Sequence, residues 1–364
     1  MITISLCMIV KNEEEVLARC LDTVKDLVEE INIVDTGSDD RTVEIAKSYT
    51  DRVFYFEWTG SFTEARNESF RYATQEYTLY LDADDVLLEK DREKLKALKE
   101  NLDPAVDSVS MYYNAGMDEF GNITLQYRRN RLLKTSRNFK WQGDVHNYLV
   151  VSGHIINSDI AVTHKKTSHA TGRNLDIYSK KIAKGETFGA RDYFYYGNEL
   201  RENGYPEEAI ESYTKNIEMK EGWVEDKVYA CLNRGDCYRF IGDLDKELAS
   251  LFESFRFSRI PRPETCSRIG YNLQQKQEFS FAVYWYETAV NLKVDPNKWS
   301  FTYPAYSTWY PHLQLCVCHY NLHQFQKAWE HNEMARKYRP EDEKILFNKQ
   351  LLEKKIPGGE GEEQ

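Results

Sequence analysis

Tyr77-Thr78-Leu79-Tyr80-Leu81-Asp82-Ala83-Asp84-Asp85 is the stretch on which the reading of this chain turns. Its apolar and aromatic start predicts a buried strand as far as Leu81, with Asp82 and Asp84 following at the carboxyl end. Side chains two residues apart on an extended chain share a face. Two hard oxygen donors on one face of a strand end suit Mg2+ or Mn2+, which take one or two protein carboxylates and fill their shells with water and phosphate. So short a motif also fits an acidic turn before the helix predicted over 89–101, and its neighbours must decide between the two.

Upstream, residues 2–10 form a near-continuous apolar run, as expected of a strand buried on both faces. Val16, Leu17, Leu21 and Val24 fall at helical spacing within 13–25. A second strand at 31–34 ends in Asp35-Thr36-Gly37-Ser38, and Ser38 followed by Asp39 and Asp40 predicts a capped helix to about Tyr49. A third strand at 52–56 and a helix at 61–73 complete the series before Tyr77. Alternating strands and helices predict an α/β fold, a mostly parallel sheet with right-handed crossovers. Ligands of such sheets bind beyond the carboxyl ends of the strands, where Lys11-Asn12, Asp35 and the Asp82 cluster all fall. There is neither a Gly-x-Gly-x-x-Gly nor a Walker loop. Asp39 and Asp40 would repel a phosphate at Ser38, which leaves Asp35 to meet a base or ribose, or to cap its own turn. The diphosphate then belongs at Asp82, under a cation.

Composition narrows the class. The 364 residues have room for about two domains. The net charge of -11 is evenly spread, with 25 Lys/Arg against 30 Asp/Glu in residues 1–185 and 23 against 29 beyond. A chain with no basic half does not suit nucleic acid or an anionic membrane. No apolar run reaches the ~20 residues of a membrane span, and the first ten residues read as a strand rather than a signal peptide. Seven scattered cysteines without a zinc-site pair predict reduced, buried thiols in a cytoplasmic protein.

Residues 105–170 change character. Strand-like runs at 108–113, 123–133, 148–151 and 160–163 are separated by Gly121-Asn122 and Gly153, predicting an antiparallel appendage to the sheet. Arg128, Arg129, Arg131, Lys134, Arg137 and Lys140 crowd this part; the expectation is a solvated strand face with one or two cations in reach of a diphosphate. From about Arg191, Gly197, Gly235 and Gly270 recur, and Ala209, Ala282 and Ala328 hold one internal position. That is the tetratricopeptide pattern, with Glu247 replacing the alanine in the second copy. A Gly- and Glu-rich tail, 356–364, is expected to be disordered.

Together, Met8-Ile9-Val10-Lys11-Asn12-Glu13-Glu14, Ile33-Val34-Asp35-Thr36-Gly37-Ser38, Ala65-Arg66-Asn67 and Leu81-Asp82-Ala83-Asp84 resemble family 2 glycosyltransferases. More narrowly, they resemble the branch in which a nucleotide-sugar (GT-A) domain precedes tetratricopeptide repeats, which includes bacteriocin peptide S-glycosyltransferases. The resemblance implies a GT-A domain over 1–185, all-α repeats over 186–355, and inverting transfer of a hexose or N-acetylhexosamine from a UDP-sugar. It places Val10, Asn12, Glu13, Asp35, Arg66, Asp82 and Ala83 around the nucleotide-sugar, with Asp35 on the uracil. Asp82, Asp84 and His164 would hold Mg2+ or Mn2+. Asp85 stands where the family usually has Glu, and His146-Asn147 where the branch often has His-Glu, so Asp144 and His146 become the candidate bases. The expected acceptor is a peptide or protein, with the repeats binding it or pairing two copies into a homodimer. A saccharide or lipid-linked acceptor shares every motif. A nucleotidyltransferase would need a Gly/Lys-rich phosphate loop after the first strand, and an inactive repeat scaffold would not need an intact Asp82-x-Asp84.

Overall fold

The computed structural model describes residues 1–143, 147–165, 173–295 and 297–356. The chain divides into two compact units, the first of Met1–Met117, Thr124–His169 and Pro296–Thr302, the second of Asp118–Ile123, Ala170–Asp295 and Tyr303–Gln364.

The first unit is built on an eight-stranded sheet. Its strands are β1 (Ile4–Val10), β2 (Glu30–Asp35), β3 (Val53–Tyr55), β4 (Tyr77–Tyr80), β5 (Asp85–Leu87), β6 (Ser108–Met117), β7 (Ile123–Lys134) and β10 (Ile155–His164). They lie in the order β3-β2-β1-β4-β7-β6-β10-β5. β1 runs parallel to β2 and β4, and β2 to β3, as strand–helix alternation requires. The later strands extend this same sheet. β7 joins the open side of β4 antiparallel, β10 pairs parallel with β6, and β5 adds antiparallel to β10. Only β8 (Lys140–Gln142) and β9 (Tyr148–Val150) stand apart, as a two-stranded ribbon.

Of the connecting helices the first three are shorter than expected, and the fourth spans the expected residues. They are α1 (Leu17–Asp22), α2 (Thr42–Lys47), α3 (Phe62–Arg71) and α4 (Glu89–Asn101). Ser61 caps α3, its side chain accepting from the Glu64 N–H. Ser38 does not cap α2, because its hydroxyl accepts from the Asn12 N–H at 3.0 Å and the helix waits until Thr42. Arg41 takes the cap position without a side-chain bond, and Asp40 before it accepts from the Thr42 N–H at 2.9 Å. Ile4, Leu6 and Met8 of β1, Ile33 of β2 and Leu79 of β4 pack with Leu17, Cys20 and Leu21 of α1 in one buried cluster.

Apart from Asp118–Ile123, whose last residue opens β7, the regular structure of the second unit is helical among the described residues. After α5 (Arg173–Ala183), α6 (Ala190–Glu202) and α7 (Pro206–Glu218) form the first of four hairpins. α8 (Val224–Phe240) and α9 (Leu244–Glu253), α10 (Pro263–Gln275) and α11 (Phe279–Asn291), and α12 (Trp309–Asn321) and α13 (Phe325–Arg336) form the others. α14 (Glu343–Glu353) follows. The recurring glycines admit a large side chain from the second helix of each pair: a Cβ on Gly197 would lie 2.7 Å from the Tyr213 ring, and one on Gly270 3.0 Å from that of Tyr286. Ala209, Ala282 and Ala328 are fully buried. Glu247, at the alanine position, is also fully buried and accepts from Arg239 at 3.0 Å and Asn272 at 2.8 Å. All seven cysteines are buried and unpaired. No helix among the described residues is long and apolar enough to cross a membrane.

Candidate active site

Strand register brings the motifs to one edge. Val10 pairs with Asp35 at the ends of β1 and β2, while Cys7 pairs with Tyr80 at the end of β4, so Asp82 emerges beside the last residues of β1. At the β1–β2 end the backbone is tightly tied. Asn12 takes a left-handed conformation (φ 54°), and its side-chain oxygen accepts from the Asp39 N–H at 2.9 Å. The Glu13 N–H donates to Thr42 at 2.7 Å, and the Val10 carbonyl accepts from Thr36. The buried Asp35 carboxylate accepts from the Gly37 N–H at 3.0 Å and the Ser38 N–H at 3.2 Å. Asp35 therefore shapes its own turn and engages the Gly37 and Ser38 amides, which are then not free for a phosphate.

At the β4 end the acidic residues separate by partner. Asp82 turns to arginine: Arg66 of α3 donates to it at 2.6 Å and Arg129 of β7 lies 3.9 Å away. Burial would raise the Asp82 pKa, but Arg66, Arg131 and Arg129 outweigh it and hold the carboxyl well below the usual range. Asp84 and Asp85 turn to the end of β10, where His164 Nδ1 stands 3.2 Å from Asp84 Oδ1 and 3.4 Å from Asp85 Oδ1. Ala83 is buried between them in sequence. Burial disfavours charge on His164, yet the two carboxylates overcome it and raise the imidazole to about 9.

Of the three expected metal ligands, Asp84 and His164 come together and Asp82 is drawn to the arginines. Asp85 completes the group instead: one ligand atom from each of Asp84, Asp85 and His164 lies within 4.8 Å of the others. Two carboxylate oxygens and one imidazole nitrogen suit a divalent cation such as Mn2+. A position that stabilises a proton on His164 also favours a cation in its place. The donor set therefore fits the implied metal.

Several supporting residues carry no signal in a linear motif. Arg131 is fully buried, donates to the Tyr80 carbonyl at 3.1 Å and pairs with Asp85 at 3.1 Å. Arg128 is buried too, donating to the Ser158 carbonyl at 2.8 Å and lying over the Tyr112 ring. These two arginines are thus interior, against the expectation of a solvated face, because β7 lies within the sheet. Asn67 clamps β8 by donating to the Trp141 carbonyl at 3.1 Å and accepting its N–H at 2.9 Å. That fixes the indole 4.7 Å from the Arg66 guanidinium. The alternation of polar and apolar residues in β7 could have marked Arg131 as inward-facing. Asp144 and His146 lie outside the described residues.

The model of glycosyl transferase family 2 matches residues 5–159, the span holding this sheet and edge. Over that span the chain is similar to family 2 glycosyltransferases. The chain is 28% identical over 230 residues to the SPbeta prophage-derived glycosyltransferase SunS of Bacillus subtilis, covering 59% of this chain and 53% of that protein. It is 46% identical over 88 residues to a TPR repeat-containing protein of Synechococcus elongatus, covering 24% and 22% respectively. The chain thus spans about half or less of the length of these curated relatives. Among solved structures, MamA from Desulfovibrio magneticus aligns over 45% of this chain and 83% of its own, at 16% identity and a TM-score of 0.37.

Proposed function

We propose that this domain is a family 2 glycosyltransferase that transfers a hexose or N-acetylhexosamine from a UDP-sugar, with inversion, to a peptide or protein acceptor in the cytoplasm. The observation that carries the reading is the Asp84–Asp85–His164 group beside the Arg66–Asp82 pair at the carboxyl edge of the parallel strands. Asp84, Asp85 and His164 would hold Mg2+ or Mn2+, which supplies Lewis-acid stabilisation for the charge developing on a departing diphosphate. Arg66 keeps Asp82 ionised, and an ionised carboxylate accepts hydrogen bonds from ribose hydroxyls. Arg66 and Arg129 together carry two positive charges against one Asp82 carboxylate, and that surplus favours an anionic diphosphate beside them. Val10, Asn12, Glu13 and Ala83 would line the donor, with Asp35 at the uracil end.

Inversion needs one base on the acceptor side, and we assign it to Asp144 or His146 on sequence grounds. On this reading 1–185 is the catalytic domain, 186–355 binds acceptor or pairs two copies, and 356–364 is a tail. The test is Mn2+-dependent turnover of UDP-glucose and UDP-N-acetylglucosamine by the full chain and by Asp84→Asn. The variant should keep the wild-type circular dichroism spectrum and lose turnover by about 100-fold or more. Undiminished turnover would remove the metal role. Asp144→Asn and His146→Gln, each assayed with donor saturating, separate the two candidate bases.

A further inference from the structure

Tyr127, Arg129 and Arg131 occupy alternate positions of β7, so their side chains share one face of the strand. The antiparallel register with β4 sets Tyr77 opposite Lys134 and Leu79 opposite Leu132. Continued past the paired residues, it brings Arg131 level with Tyr80 and Arg129 level with Asp82. The side chains stand accordingly: Arg131 donates to the Tyr80 carbonyl at 3.1 Å, and Arg129 Nη1 lies 3.9 Å from Asp82 Oδ2.

The three arginines around the acidic cluster differ in what they have left to offer. Arg66 donates to Asp82 at 2.6 Å, and Arg131 is fully buried against Tyr80 and Asp85. The Arg129 side chain stays one-third exposed, with Asp82 beyond hydrogen-bond distance. Among the described residues it makes one hydrogen bond, Nη2 donating to the Tyr127 hydroxyl at 2.9 Å. Its guanidinium also lies 4.5 Å from the centre of the Tyr113 ring and 5.2 Å from that of Tyr127.

Tyr127 is itself held. Its ring packs against the main core, and Phe301 meets it edge-on at 5.2 Å. Thr302, next to Phe301, exchanges backbone hydrogen bonds with Gln126 at 2.9 and 2.7 Å. The planar fork of a guanidinium matches phosphate oxygens in pairs, and a side chain already fixed loses little freedom on binding.

We propose that Tyr127 is a positioning residue, whose hydroxyl aims Arg129 so that the guanidinium takes a phosphate of the nucleoside diphosphate donor beside Asp82. This role rests on the transfer reading of the site, and it adds the side chain through which Arg129 acts. Tyr127→Phe removes the hydroxyl alone and leaves the ring against Phe301 and the core.

The test is calorimetric titration of UDP, with Mn2+ present, into the full chain and its variants. Wild type should bind UDP, Arg129→Gln should bind it about tenfold or more weakly, and Tyr127→Phe about threefold more weakly, with melting temperatures unchanged. The double variant decides the role. Because the hydroxyl acts only through Arg129, adding Tyr127→Phe to Arg129→Gln should cost no further affinity. A merely structural hydroxyl would cost the same in both backgrounds. If Arg129→Gln lowers the melting temperature, Arg129→Lys, which keeps the charge and loses the fork, takes its place in the cycle. Undiminished UDP binding by either single variant, or equal losses from Tyr127→Phe in the two backgrounds, would overturn the proposal and leave the transfer reading standing. A wild-type chain that binds no UDP would overturn both.

Discussion

Arg131 Nη2 and Asp85 Oδ2 stand 3.1 Å apart, and neither side chain is exposed to solvent. The same Asp85 oxygen accepts the Asp82 N–H at 3.1 Å, while its other oxygen faces His164. Arg131 therefore anchors the carboxylate that links the two halves of the acidic cluster. Removing one member of a buried pair leaves the other charged and unpaired, at a cost of about 3–5 kcal/mol. Arg131→Met should destabilise the chain by that order in urea unfolding. Arg131→Lys, which keeps the charge and loses the planar fork, should lie between the two.

Metal removal should be legible without any turnover measurement. Mn2+ should raise the melting temperature of the wild-type chain, because a ligand that binds only the folded state stabilises it by mass action. EDTA should reverse the rise. Asp84→Asn and His164→Gln should each abolish the Mn2+-dependent increment. An increment of wild-type size in both variants would place the cation elsewhere.

The repeats make a steric prediction at Gly197. Replacing a helical glycine by alanine normally gains up to about 1 kcal/mol in helix propensity. Here the new methyl would meet the buried Tyr213 ring at 2.7 Å, inside any real contact distance. Overpacking of a tight interior costs about 1–3 kcal/mol, so Gly197→Ala should lower the melting temperature of the second unit. Gly270→Ala, with its nearest contact at 3.0 Å, should cost less.

A pH dependence follows from three stacked histidines. His331 lies 5.2 Å from His312 and 5.4 Å from His319, ring centre to ring centre. Burial, then the neighbouring imidazoles, push His331 down to about 4. A histidine whose folded pKa is depressed contributes stability that is complete above its unfolded value near 6.5 and is lost as pH falls through 4. Because His331 is half-buried, the loss is on the order of 1 kcal/mol once solvent screening is allowed for. Asp226, pushed up to about 6 by burial, titrates with opposite sign in the same window. The quantity to measure is therefore the stability difference between wild type and His331→Gln from pH 7 to 4, which should narrow on acidification.

The parallel half of the sheet was legible in the sequence because local pattern and burial agree there. The run from Ile4 to Val10 is apolar throughout, and β1 has sheet neighbours on both sides. The repeats were legible for a similar reason, since a glycine or alanine at a fixed helical position is the local mark of a close crossing. Ser38 misled, because its hydroxyl accepts from the Asn12 N–H, 26 residues away, and no local rule sees that partner.

What the sequence alone determined is the order of elements and the edge of the sheet that gathers Asn12, Asp35 and Asp82. Both are properties of connectivity. Which carboxylate meets which partner was decided only by tertiary structure. Asp82, Asp84 and Asp85 lie within four consecutive positions, yet Asp82 faces Arg66 of α3 and Arg129 of β7, Asp84 faces His164 at the end of β10, and Asp85 lies between His164 and Arg131 of β7. Their surroundings are set by residues from 16 to 79 positions away in the chain, on a helix and two further strands, so the electrostatic balance that separates them exists only once the sheet has closed.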